Sequence, residues 1–111
     1  SHHKLNNVVA IVDRNRLQSM NTTEETLTLE PLQQKLEAFG WEVISLDGHE
    51  HDVLKVYLSV DYEKRYLDKP LIIIANTVKG KGVSFMENNN EWQHNILTKS
   101  KYDLALSELE G

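Results

Sequence analysis

The 111-residue chain has no cysteine. Disulfides, thiolate metal sites and a cysteine nucleophile are excluded; the redox compartment is left open, and a cytoplasmic location fits. Nor does it have an excess of positive charge. Twelve Lys plus Arg against seventeen Asp plus Glu leave a net charge of −5, so no basic field is available to draw nucleic acid or an anionic membrane surface. No apolar run approaches the ~18 residues of a membrane-spanning helix, and Ser1-His2-His3-Lys4 lacks the apolar core of a signal peptide. The chain reads as soluble, without nucleic acid or membrane as a partner. Internal repeats and low-complexity segments are absent as well.

What is present is an ordinary globular composition, 40% apolar with five glycines, which argues against disorder. At this length folding removes only about two-thirds of the unfolded chain's surface from water, enough for one modest core. Three short apolar runs, Val8–Val12, Val43–Leu46 and Leu71–Ala75, show no period-2 alternation. Such runs suit strands buried on both faces of a parallel sheet. Between the first two, Leu32, Leu36 and Phe39 recur at helical spacing, with Pro31 at the start and Gly40 where a left-handed cap is needed. Between the second and third, Val53, Leu54, Tyr57, Leu58 and Tyr62 give another amphipathic helix ending before Lys69-Pro70. A last helix carries Tyr102, Leu104, Ala105, Leu106 and Leu109, with Thr98 or Ser100 as N-cap. The expected fold is α/β, a parallel sheet with helices on both faces. The first strand run opens with almost nothing ahead of it, so the chain reads as beginning inside a larger structure.

In such sheets ligands sit beyond the carboxyl ends of the strands. The loops there read Asp13-Arg14-Asn15-Arg16-Leu17-Gln18, Asp47-Gly48-His49-Glu50-His51-Asp52 and Asn76-Thr77-Val78-Lys79-Gly80-Lys81-Gly82. Asp13 and Asn15 could serve one hard cation with a phosphate completing the shell, or could form an Asx-type turn on local backbone. Lys79-Gly80-Lys81-Gly82 offers flexible N–H groups and two cations to a diphosphate. It lacks Walker A spacing, and a solvated basic turn is the plainer alternative. His49 and His51 suit a helix start better than a metal site. His2-His3 reads as a tag remnant, a metal pair or ordinary residues. His94, beside Trp92, could contact a phosphate or a substrate hydroxyl, or simply lie on the surface. Asn88-Asn89-Asn90 marks a loop.

Taken in order, Lys4–Gln18, Leu29-Glu30-Pro31-Leu32, Glu37–Val43, Asp47-Gly48-His49 and Thr77–Glu87 closely resemble the transketolase family. The likeness is to the second part of its thiamine diphosphate-binding domain, in the form found as a separate N-terminal subunit in many bacteria. It implies that residues 1–111 are the downstream part of a thiamine diphosphate-binding fold. Asn15 matches the Asn that closes the family's cofactor motif. The resemblance then implies that Asn15 gives its side-chain oxygen and Leu17 its backbone carbonyl to Mg2+, with Asp13 in a supporting role. Lys79 and Gly80 would lie near the cofactor, and His94 is the candidate for the family histidine that contacts the diphosphate and donor substrate.

Departures from the family are of two kinds, local substitutions and missing segments. Where relatives read Trp-His-Gly or Trp-His-His, this chain has Trp92-Gln93-His94-Asn95, so the histidine is shifted or substituted. Ser19-Met20-Asn21 stands where many relatives have Ile-Asp-Gly. The Gly-Asp-Gly segment and the glutamate that activates the cofactor are not among these residues. The resemblance therefore implies an oligomeric enzyme moving a two-carbon ketol unit between sugar phosphates. It also implies that these 111 residues are inactive alone and need the upstream half of the cofactor domain and a pyrimidine-binding/C-terminal transketolase subunit. The alternative is a non-catalytic assembly module. 1-Deoxyxylulose-5-phosphate synthase and the 2-oxoacid dehydrogenases share cofactor and fold, but differ around the closing Asn.

Overall fold

The computed structural model describes residues 2–19, 21–59 and 69–111. They fall into two compact units, Ser1–Arg14 with Leu29–Thr77, and Asn15–Thr28 with Val78–Gly111.

The first unit is built on the three apolar runs. They form β1 (Val9–Arg14), β4 (Glu42–Asp47) and β5 (Leu71–Asn76), all parallel, with β5 in the centre. Leu71 through Ala75 are all buried, and Ile73 is fully enclosed. Each large aliphatic side chain so buried contributes about 1.5–3 kcal/mol, so β5 is the core of the unit. The two flanking strands correct the expectation of burial on both faces. Val9 and Ile11 of β1 are 40% and 53% exposed, and β4 has half-buried and exposed positions but no buried one. Among the described residues only the central strand has a neighbour on each edge, so only its unbroken apolar run is used in full.

Helix α2 (Leu32–Ala38) follows β1 and packs on β4. Its C-terminus closes as the sequence suggests. Gly40 takes φ 84°, its N–H donates to Glu37 O, and Trp41 N–H donates to Leu36 O, the paired bonds of a Schellman motif. Phe39, counted in the apolar stripe, is 72% exposed at the cap. Helix α3 (His51–Leu58) sets Leu54 and Tyr57, with Ile44 and Leu46, against Leu71 and Ile73. The path across the sheet from β1 to β4 reverses from β4 to β5. Right-handed crossovers of opposite direction place α2 and α3 on opposite faces. Tyr62, assigned to this helix from the sequence, lies outside the described residues.

In the second unit, β2 (Leu17–Gln18) pairs antiparallel with β3 (Asn21–Thr22) and leads into α1 (Thr23–Thr26). Thr22 Oγ1 accepts from Glu25 N–H at 3.2 Å while the Glu25 carboxylate accepts from Thr22 N–H at 3.1 Å, a reciprocal capping box. The chain re-enters this unit in a turn region, passes through a 3-10 turn at Asn90–Gln93 and ends in α4 (Lys99–Glu110). Thr98, rather than Ser100, caps α4. The apolar stripe expected along α4 is not buried. Tyr102, Leu104, Leu106 and Leu109 are 37–62% exposed and Ala105 is the buried position, because the helix seats itself through a small residue and polar contacts. Among the described residues no helix is long and apolar enough to cross a membrane.

Candidate functional site

At the carboxyl ends of the first unit's strands, side chains tie neighbouring loops together. Parallel register sets Arg14 opposite Asn76 and Asp47 opposite Asn76. Asn76 Nδ2 donates to Ser45 Oγ and to Leu46 O, at 3.0 and 3.1 Å. Thr77 Oγ1 donates to the Asp13 carboxylate. Asp13 is thus engaged with the loop after β5. Gly48 N–H donates to Asn76 O at 2.7 Å, and a Cβ at Gly48 would lie 2.5 Å from Thr77 Cγ2. Glycine is there because two loops touch. His49 N–H donates to Asp47 Oδ1 and His51 opens α3, the helix-start arrangement expected.

Arg14 is the buried charge of this unit, 5% exposed, with its guanidinium 2.7 Å from Glu30 Oε1. Glu30 Oε2 accepts from Leu32 N–H. One carboxylate therefore joins the end of β1 to the start of α2, a link that sequence spacing gives no means of finding.

The second unit carries the proposed cofactor residues. Asn15 Oδ1 accepts from Leu17 N–H at 2.9 Å, across Arg16 at φ 64°. This is the Asx turn that the sequence left open. An amide oxygen has two lone pairs, so the turn uses one and leaves one. An amide oxygen and a backbone carbonyl are hard, neutral donors of the kind Mg2+ takes alongside phosphate oxygens and water. Asn15 and Leu17 fit as part of such a shell, and not as a complete one. Among the described residues no group of three or more His, Asp or Glu could hold a metal by itself.

The glycine turn is more ordered than its composition suggests. Lys81 N–H donates to Val78 O, Val83 N–H to Gly80 O, and Asn88 N–H to Lys79 O, while Gly82 N–H donates to Glu87 Oε1 at 3.0 Å. Of the four N–H groups of Lys79–Gly82, those of Lys81 and Gly82 are committed within the turn. Half of the cradle is thus held in place by the turn itself, and the Lys79 and Lys81 ammonium groups add the positive charge. Gly80, at φ 73°, is required by the turn itself, since a Cβ there would meet the Met86 carbonyl oxygen at 2.6 Å.

His94 caps the 3-10 turn, its N–H donating to Glu91 O at 3.4 Å. With Asn90, Glu91 and Asn95 it lines an open cleft. Asn15, Lys79 and His94 each bond within their own turn. Asn90 Nδ2 donates to Asn21 O at 3.3 Å, joining the His94 turn to β3. Trp92 packs on Phe85 with ring centroids 5.1 Å apart. Lys101 sits 4.6 Å from the centre of the Trp92 ring. Glu108 accepts from Ser84 N–H at 2.6 Å and from Ser84 Oγ at 2.7 Å; those bonds, the backbone one foremost, hold its carboxyl below the usual range. The two Thr22 bonds, that to the side chain foremost, do the same for Glu25.

The capping box was findable, because Thr22-Thr23-Glu24-Glu25 carries its S/T-x-x-E signature. The Ser84–Glu108 and Lys101–Trp92 contacts had no such signal.

Comparison with known proteins agrees with the fold. The crystal structure of transketolase from Campylobacter jejuni superposes with a TM-score of 0.84 at 27% identity, covering 98% of this chain and 17% of that one. An apulose-4-phosphate transketolase subunit from Phocaeicola vulgatus is 43% identical over 110 residues, which is 98% of this chain and 38% of the relative. The 6-deoxy-6-sulfo-D-fructose transketolase subunit SqwG of a Clostridium species is 40% identical, again over 38% of its length. Human transketolase is 32% identical over 17% of its length. The chain thus spans less than two-fifths of the curated relatives it matches. The family model described as the transketolase thiamine diphosphate-binding domain matches residues 1–105, and the chain belongs to that family.

Proposed function

We propose that residues 1–111 supply the downstream part of the thiamine diphosphate-binding domain in a split transketolase that moves a two-carbon ketol unit between sugar phosphates. The observation that carries this reading is the match, at 40% identity or more, to two bacterial proteins named as transketolase subunits. The turn at Asn15 supports it.

When bound, thiamine diphosphate supplies the electron sink that makes carbon–carbon cleavage beside a carbonyl feasible. The work of this chain is to bind and orient. Asn15 offers the free lone pair of an oxygen already fixed by Leu17 N–H, so little ordering remains to be done when Mg2+ arrives. Leu17 adds its backbone carbonyl, held in the β2–β3 pairing. Lys79 brings positive charge to the diphosphate from a turn closed on itself by Asn88 and Glu87, and Gly80 allows that turn. His94 contacts the diphosphate or a substrate hydroxyl from the cleft it shares with Asn90, Glu91 and Asn95. On this reading the remaining metal ligand, the glutamate that activates the cofactor and the pyrimidine-binding surface come from outside these residues. The working protein is an oligomer of at least two kinds of chain, and these residues alone do not turn over.

The test is a ketol-transfer assay on the full-length protein with its partner subunit, using a ketose phosphate donor and an aldose phosphate acceptor. Transfer that requires thiamine diphosphate and Mg2+ is expected. Activity with pyruvate in place of the sugar pair would contradict the assignment, and a well-assembled complex that binds no cofactor would leave an assembly module as the better reading.

A further inference from the structure

The turn that carries Lys79 and Gly80 has no sheet or long helix of its own to hold it. Helix α4 does so at several points. Leu109 lies over the second glycine, where a Cβ on Gly82 would meet Leu109 Cδ2 at 3.1 Å. Lys101, two turns earlier, places its ammonium 5.6 Å from the Phe85 ring and 4.6 Å from the Trp92 ring. Between them Glu108 uses both carboxylate oxygens on one residue, Oε2 accepting from Ser84 N–H at 2.6 Å and Oε1 from Ser84 Oγ at 2.7 Å.

A bidentate, charge-assisted pair of this kind is shorter and about twice as strong as two neutral bonds, and it fixes direction as well as distance. Ser84 follows directly on Val83, whose side chain is buried and whose N–H donates to Gly80 O. Holding Ser84 therefore holds Val83, and through it the backbone at Gly80. Nothing else about α4 demands an acid at position 108, in the last turn of the helix, where the helix dipole disfavours a carboxylate.

We propose that Glu108 is a positioning residue: from α4 it clamps Ser84 and so sets the backbone of the Lys79–Ser84 turn that faces the cofactor diphosphate. The clamp stands on the geometry alone; its role toward the cofactor rests on the function proposed above.

The two parts separate experimentally in the full-length protein assembled with its partner. Amide hydrogen exchange over residues 79–88 reads the clamp, and thiamine diphosphate affinity at fixed Mg2+ reads its consequence. Glu108→Ala should speed exchange across the turn and weaken cofactor binding, each by roughly tenfold, the scale set by losing hydrogen bonds to a charged group. Glu108→Gln should recover most of both, because its amide can accept from Ser84 N–H and donate to Ser84 Oγ. Ser84→Ala, which keeps the backbone bond and loses the hydroxyl one, should fall between, and it guards against a Glu108 variant that fails to fold. Unchanged exchange in Glu108→Ala would overturn the clamp. Faster exchange with unchanged cofactor affinity would overturn the positioning role and remove the turn from the diphosphate site. Equal losses in the Ala and Gln variants would reduce Glu108 to a general structural residue.

Discussion

Replacing Gly48 by alanine adds one methyl group where the loops after β4 and β5 meet. Its Cβ would lie 2.5 Å from Thr77 Cγ2, 3.1 Å from Ala75 Cβ and 3.2 Å from Asn76 O, against a comfortable carbon–carbon separation of about 3.5–4.0 Å. The Thr77 methyl must move by about 1 Å. It cannot do so independently, because the Thr77 hydroxyl is bonded to Asp13 and the other two neighbours belong to the buried central strand. Overpacking of this kind costs about 1–3 kcal/mol. The smaller unfolded-state entropy of alanine offsets about 0.4–1 kcal/mol of that. Net destabilisation of about 1–2 kcal/mol follows, seen as a lower thermal midpoint of the full-length protein and faster exchange of the residue 48 N–H, which donates to Asn76 O. Thr77→Ser removes the clashing methyl and keeps the hydroxyl, so it should restore roughly half or more of the loss in the double variant. A neutral Gly48→Ala, or a double variant no better than the single, would refute the reasoning.

Other outcomes follow from the same contacts. Glu30→Ala removes the 2.7 Å partner of the buried Arg14 guanidinium. Half-exposure of Glu30 reduces the usual cost of breaking a buried pair to about 1–2 kcal/mol, with Glu30→Gln milder, measurable as a lower denaturation midpoint. Glu25 and Glu108 are both held below the ordinary carboxylate range, so the unfolded chain binds more protons than the folded one as pH falls toward and below the normal carboxylate value. Their contribution is present above that value and is lost as pH drops through the depressed values. The Glu25→Gln, Glu108→Gln double variant should show a flatter acid limb in a thermal-midpoint profile. Lys101→Met removes the cation over Trp92 and should cost about 0.5–1 kcal/mol in thermal stability, with Lys101→Arg close to wild type.

The fold was legible in the sequence wherever residue type alone decides the outcome. The aliphatic, β-branched run Leu71–Ala75 reads as a strand, and Gly40 after the Leu32–Phe39 stripe reads as a left-handed cap; both are what the structure has. Where neighbours decide, legibility failed. Val8–Val12 reads much like Leu71–Ala75, yet β1 is left half-exposed by its place at the side of the sheet. Strand order, with β5 between β1 and β4, has no local signature. At the candidate site the Asx alternative at Asn15 was written in the residue type. The order of the glycine turn was not legible, because glycine implies freedom until the acceptors are known, and here Val78 and Glu87 take up the N–H groups of Lys81 and Gly82. Glu108 and Ser84 lie 24 residues apart, beyond the reach of any spacing rule.

The central proposal, that Asn15 helps this chain hold thiamine diphosphate through Mg2+, is most directly tested by titrating the cofactor with Mg2+ into the full-length protein assembled with the partner subunit proposed above. Wild type should bind in a Mg2+-dependent manner. Asn15→Ala should weaken that binding by at least about tenfold, and Asn15→Asp, which keeps an oxygen for both Leu17 N–H and the metal, should bind closer to wild type. Cofactor affinity indifferent to Mg2+, or unchanged in Asn15→Ala, would contradict the account.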